Sequence, residues 1–128
     1  MNRIGQVVER RIDNHKIYQA RFQDVPGFHC QRNDKSEICS ISFTALAESP
    51  AHRERVAAVL KANDIETRPL GGGNMSRQPF WSSFYGTTVF PVADRIHTTG
   101  FQLPNHPMLS PDDINHICDT VLAVRSND

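Results

Sequence analysis

The chain has 128 residues, a length that makes one small domain, buries about two-thirds of its unfolded surface and leaves no room for a large enzyme. Lysine plus arginine number 14 and aspartate plus glutamate 14, so the formal net charge is zero and the sequence gives no electrostatic ground for binding nucleic acid or a membrane surface. Apolar runs far shorter than the ~20 residues that span a bilayer, charges throughout the first twenty positions, and three widely spaced cysteines (Cys30, Cys39, Cys118) lead to the expectation of a soluble, reduced, cytoplasmic protein.

Ile4, Val7, Val8, Ile12, His15, Tyr18 and Phe22 recur at helical spacing, with Arg10, Arg11, Asp13 and Lys16 largely opposite. This predicts an entering helix of about five turns that ends at Val25-Pro26-Gly27. No serine, threonine or aspartate caps its start, so the helix reads as cut into rather than begun. Phe28-His29-Cys30 and the β-branched and aromatic run Ile38 to Leu46 read as an antiparallel pair around a polar turn at Arg32-Asn33-Asp34-Lys35. Ser49-Pro50 supplies a cap and a first-turn proline for a helix carrying Val56, Val59 and Leu60, which stops near Asn63-Asp64. Ile65-Glu66-Thr67-Arg68 follows as a strand halted by Pro69, closing a strand-helix-strand crossover whose expected hand is right. Leu70 to Val89 reads as irregular. Phe90-Pro91 opens a helix to about Thr99 with Gly100 as its stop, Phe101 to Pro104 is extended, and Ser110-Pro111-Asp112-Asp113 begins a last helix with Ile114, Ile117, Val121 and Leu122 as its stripe. The expected fold class is α+β: a small two-layer domain, its short, mostly antiparallel sheet packed with about four helices. It is read as one domain over residues 1–128, with an entering helix over 1–24 and a body over 25–128 that carries a loop at 69–89.

The loop is where chemistry concentrates, because about twenty structureless residues in a compact domain are uncommon unless the loop works or is disordered. Gly71, Gly72 and Gly73 let a ligand approach the main chain, Arg68 and Arg77 are planar forks suited to phosphate or carboxylate, and Asn74 and Gln78 add amide donors and acceptors. Together they point to an anionic ligand; on spacing alone, glycines that only turn the chain and arginines that are only solvated fit as well. A Walker-type loop is excluded by the absence of a Gly-Lys-Ser/Thr ending. His29, Cys30 and Cys39 lack metal-ligand spacing, so no metal is expected, and Cys118 reads as a small buried hydrophobe. No nucleophile and base pair can be assembled. Lys16, Lys35 and Lys61 all fall in solvated contexts, whereas a Schiff-base lysine needs an apolar pocket.

In order along the chain, Arg11, Asn14 and Tyr18 of the entering helix, Asp64-Ile65-Glu66-Thr67-Arg68-Pro69, Phe90-Pro91-Val92-Ala93, and Leu103-Pro104-Asn105-His106-Pro107 leading into Leu109-Ser110-Pro111-Asp112-Asp113-Ile114 resemble the carboxy-terminal domain of the DegT family over almost the whole chain. These are pyridoxal-phosphate-dependent nucleotide-sugar aminotransferases and their pyridoxamine-phosphate-dependent dehydratase relatives. Gly73-Asn74-Met75-Ser76-Arg77-Gln78-Pro79 resembles the Gly-Asn-x-x-Arg-Gln-Pro loop of the sugar 3-dehydratases, and the Tyr-x-Pro-x-His segment more usual in the aminotransferases is absent.

The resemblance implies an aspartate-aminotransferase-like fold, a homodimer, and PLP or PMP held by a large amino-terminal domain that these residues do not include. In that enzyme the cofactor supplies the electron sink and the protein supplies positioning. This domain would contribute one wall of a nucleotide-sugar site through Arg68 and Arg77, oriented by Asn74 and Gln78, and no catalytic residue. The fragment alone is expected to be inactive, to bind no cofactor or iron-sulfur cluster, and to self-associate through Ile4, Val7, Val8 and Ile12. The preferred reading is a 3-dehydratase acting on a 4-keto-6-deoxy sugar. An aminotransferase fragment and a stand-alone interaction module stay open, and the reading frame upstream of Met1 distinguishes the module from both.

Overall fold

A computed structural model describes residues 3–32 and 35–126. Five α-helices accompany a four-stranded sheet of order β1-β2-β4-β3 in which every neighbouring pair is antiparallel. The strands are β1 (Phe28–Cys30), β2 (Ser42–Ala47), β3 (Arg68–Pro69) and β4 (Gly100–Pro104); the helices are α1 (Arg3–Phe22), α2 (Pro50–Ala62), α3 (Pro79–Tyr85), α4 (Pro91–Thr99) and α5 (Pro111–Leu122). The α+β class is as the patterning predicts. Since β2 and β3 both pair antiparallel with β4, they run parallel to each other, with α2 as the connection between them.

Alternation along β2 buries Phe43, Ala45 and Ala47, and the register sets Phe43 opposite Leu103 and Ala45 opposite Phe101, which makes one continuous apolar face. Tyr18 stacks on Phe43 with centroids 4.8 Å apart, and Phe22 lies 5.3 Å from the same ring. Ile114, Ile117, Cys118 and Val121 of α5 and Val56 and Leu60 of α2 complete the core. Polar bonds fix α1 over this face: the Tyr18 hydroxyl donates to Pro104 O at 2.8 Å, and Asn105, fully buried, donates to Arg11 O at 3.1 Å and Ser40 O at 3.0 Å. Capping follows the sequence, with Ser49 accepting from His52 N and Ser110 and Asp113 closing a capping box.

Several expectations need correction. The second strand begins at Ser42, not Ile38, because Ser40 bonds His15 and Asn105 instead of a ladder partner. The third strand is Arg68–Pro69, not Ile65 to Arg68, and Pro69 forms half of it instead of halting it, which an edge position permits because the missing N–H has no neighbour to serve. The stretch 69–89 is not structureless: a 3-10 turn spans Met75–Arg77, and α3 starts at Pro79 and stops at Gly86, whose φ is +70°. Of the polar turn expected at Arg32 to Lys35, Asn33 and Asp34 lie outside the described residues, as do Met1 and Asn2 of the entering helix. The buried residues of α1, Asn14, His15, Tyr18 and Phe22, all lie in its carboxy-terminal half, whereas Ile4 is 77% exposed and Val7 and Val8 are exposed too.

Candidate functional site

After β3 the chain turns at Gly71 to Gly73, and Gly73 N donates to Leu70 O at 2.8 Å. Gly73 has φ +65°, and a Cβ there would lie 2.0 Å from His97 Nδ1, so both the backbone angle and the neighbouring ring demand glycine. The next residue is anchored in three ways. Asn74 N donates to His97 Nδ1 at 3.0 Å, Asn74 Nδ2 donates to Asp94 Oδ1 at 2.8 Å, and Asn74 Oδ1 accepts from Ser76 N and Oγ. A backbone N–H can only donate, so His97 Nδ1 carries no proton in this arrangement. Arg77 Nε donates to the same Asp94 oxygen at 2.5 Å, and Gln78 Nε2 donates back to Gly72 O at 2.9 Å. Hydrogen bonds from Asn74 and then Arg77 hold the Asp94 carboxyl below the usual carboxylate range.

Three of the four predicted ligand residues, Asn74, Arg77 and Gln78, therefore belong to one folded unit on the first turns of α4. Asp94 and His97 organise that unit, and sequence reasoning missed both; the signal was their i, i+3 spacing on one face of a helix that starts at Pro91. Asn74 is buried with its side chain fully engaged, so it shapes the loop instead of reaching outward. Arg77 is about half exposed, its Nε is tied to Asp94, and its two terminal nitrogens hold no partner among the described residues. Arg68 does not join the group. Opposite Gln102 in the register, it pairs with Glu66 at 2.6 Å and borders a separate cavity.

Beside the loop, α3 presents Phe84 and Tyr85 largely to solvent, while Trp81 packs against Tyr85 with ring centroids 4.7 Å apart. Elsewhere, Cys118 is fully buried and its thiol is pushed up to about 12 by desolvation, which makes it inert. His106 Nδ1 accepts from Met108 N, a local contact in the turn before α5. Among the described residues, no three His, Cys, Asp or Glu side chains gather as metal ligands would. No helix among them is long and apolar enough to cross a membrane.

The element order, the loop and the caps can be set beside known proteins. Residues 1–122 match the DegT/DnrJ/EryC1/StrS aminotransferase family. The chain belongs to that family. Within it, the chain is similar to a GDP-perosamine synthase of Vibrio cholerae, 23% identical over 124 residues that cover 94% of this chain and 33% of that one. Its fold matches the sugar aminotransferase CalS13 from Micromonospora echinospora with a TM-score of 0.78 at 20% identity, over 95% of this chain and 32% of that one. It also matches E. coli GDP-4-keto-6-deoxy-D-mannose-3-dehydratase with bound hydrated PLP, with a TM-score of 0.80 at 18% identity, over 94% and 32% respectively. The chain thus spans about a third of the length of the DegT/DnrJ/EryC1/StrS relatives it matches.

The residues present do not fit a resident pyridoxal phosphate. Lys16 sits on an exposed ion pair with Glu37, Lys35 and Lys61 are exposed, and none occupies the apolar pocket that a Schiff-base lysine needs.

Proposed function

We propose that this chain is the carboxy-terminal domain of a PLP- or PMP-dependent enzyme that acts on a nucleotide sugar, and that within this class it serves a 3-dehydratase of a 4-keto-6-deoxy sugar. The observation that carries the reading is the folding of Gly73 to Gln78 as one unit on Asp94 and His97, with the free end of Arg77 turned outward. Together with Pro79, that segment holds the Gly-Asn-x-x-Arg-Gln-Pro pattern that resembles the loop of the sugar 3-dehydratases. Cofactor chemistry would be supplied by protein beyond these residues, in a homodimer, and the isolated chain would be inactive.

The part played by this domain is positional. Asp94 takes Nε of Arg77 and so fixes the plane of the guanidinium, which leaves the terminal fork to meet phosphate or sugar oxygens. Asn74 holds Asp94 and the loop backbone, and Gln78 ties the loop back to Gly72. An aminotransferase could use the same wall, so the product separates the two readings.

The test uses the enzyme expressed together with its cofactor domain and supplied with a 4-keto-6-deoxy nucleotide sugar and glutamate. Mass spectrometry should find a product that has lost the C3 hydroxyl; a product with an amine in place of the C4 keto oxygen would make it the aminotransferase. Arg77→Lys keeps the charge and loses the fork, and should lower kcat/KM about tenfold to a hundredfold with little change in stability. Unchanged kcat/KM would move the substrate contact to Arg68.

A further inference from the structure

Arg11 of α1, the segment Glu66 to Arg68, and Gln102 to Asn105 together line a half-open cavity of about 270 Å³. The charges around it do not balance. Arg68 is satisfied by Glu66, its Nε and a terminal nitrogen lying 2.8 and 2.6 Å from one carboxylate oxygen. Arg11 is half-buried, its Nε is shielded from solvent without an acceptor, and its guanidinium makes no hydrogen bond or ion pair among the described residues. An arginine cannot shed its proton, so the shielded Nε stays a donor without an acceptor, while the terminal fork, which solvent still reaches, is open to an incoming oxyanion.

Its placement is built into the fold. The carboxamide of fully buried Asn105 clamps the main chain of α1 at Arg11 to the segment before β2 through its bonds to Arg11 O and Ser40 O. Across the cavity the Thr67 hydroxyl donates to Gln102 O at 3.0 Å, while the Gln102 carboxamide has no partner among the described residues and keeps its N–H donors free.

We propose that this cavity is a binding site for a compact oxyanion, a carboxylate or phosphoryl group on a small molecule, with the Arg11 fork as its main donor and the Gln102 carboxamide as a second. The volume holds about nine waters at ~30 Å³ each, which suits one such group with a few attached atoms. None of Asn74, Arg77, Asp94 and His97 borders the cavity, so the site is separate from the Arg77 unit proposed above, although Arg68 lines its wall.

The test is an NMR titration of the ¹⁵N-labelled chain with inorganic phosphate and, separately, malonate, against sodium chloride at equal ionic strength. Amides of residues 66–68 and 102–105 should move saturably, and the anion that saturates at the lower concentration identifies the group as phosphoryl or carboxylate. Arg11→Gln should weaken binding about tenfold or more, and Arg11→Lys less. Gln102→Glu places a carboxylate inside the cavity and should abolish binding while Arg11 stays in place; it decides the matter if Arg11→Gln fails to fold, which melting curves will show. Shifts no different from those with chloride, unchanged affinity in Arg11→Gln and Gln102→Glu, or shifts confined to residues 73–78 would each overturn the site. The last of these would leave the proposed function standing.

Discussion

Two aromatic groups in this protein meet opposite fates. Tyr18, Phe22, Phe28, Phe43 and Phe101 are buried and in ring contact across α1 and the sheet. Phe80, Trp81, Phe84 and Tyr85 sit on a two-turn helix, and Phe84 is 80% exposed. The first group folds the domain by removing apolar surface from water. The second rides on a segment whose position is set by hydrogen bonds to Asp94 and His97, not by burial. Stability and the candidate binding surface are thus separated in space, and they rest on different kinds of interaction.

Paired truncation should expose the contrast most strongly. Phe43→Ala removes a ring that meets His15, Tyr18 and Phe22, and should cost about 3–5 kcal/mol in urea denaturation, whereas Phe84→Ala should stay within ~0.5 kcal/mol. Comparable losses for the two would erase the distinction.

A smaller effect probes the polar unit. Gly73→Ala forces a side chain into the left-handed region and against the His97 ring, so a loss of about 1–3 kcal/mol is expected. The double variant with His97→Ala should recover part of that loss, since the clash disappears while the backbone strain stays. Strictly additive losses would show that ring and glycine do not touch.

Three of the strands and four of the helices were legible because they announce themselves locally: alternation from Phe43 to Ala47, and a cap with a proline before α2 and before α5. What escaped was the unit at 74–97. Its carboxylate and imidazole are supplied by a helix seventeen and more residues downstream, and nothing in the loop's own composition records that Asp94 will receive Asn74 and Arg77 together. For the same reason Arg68 was grouped with Arg77. The two are near in sequence, but β3 holds one at the sheet edge while the glycines carry the other away.

The smallest prediction concerns pH and belongs to the core. His15 lies against Phe43 with Nδ1 2.8 Å from Ser40 Oγ, and burial lowers its pKa below the ordinary 6.5. The unfolded chain therefore binds the proton first. The contribution is complete above pH ~6.5 and is lost as pH falls from there toward the folded-state pKa, with a slope of no more than about 1.4 kcal/mol per unit. Urea midpoints between pH 7.5 and 5 should show the decline, and His15→Gln should flatten it. Asp94 and Asp113, whose pKa values are lowered, release their contributions at more acid pH, through the carboxylate range and below.

The sheet order also governs when the fold can form. β4 lies between β2 and β3 yet comes after both in the chain, so during synthesis only the β1 and β2 pair can assemble before residues 100–104 emerge. Until then β3 has no neighbour, and until α5 follows, the apolar face around Phe43 lacks one of its covers. Pairing over such sequence distances is slow, and the nascent chain spends that interval with an unprotected strand edge. A ribosome-bound chain ending before residue 100 should accordingly engage holding chaperones, and one extended beyond the last helix should release them.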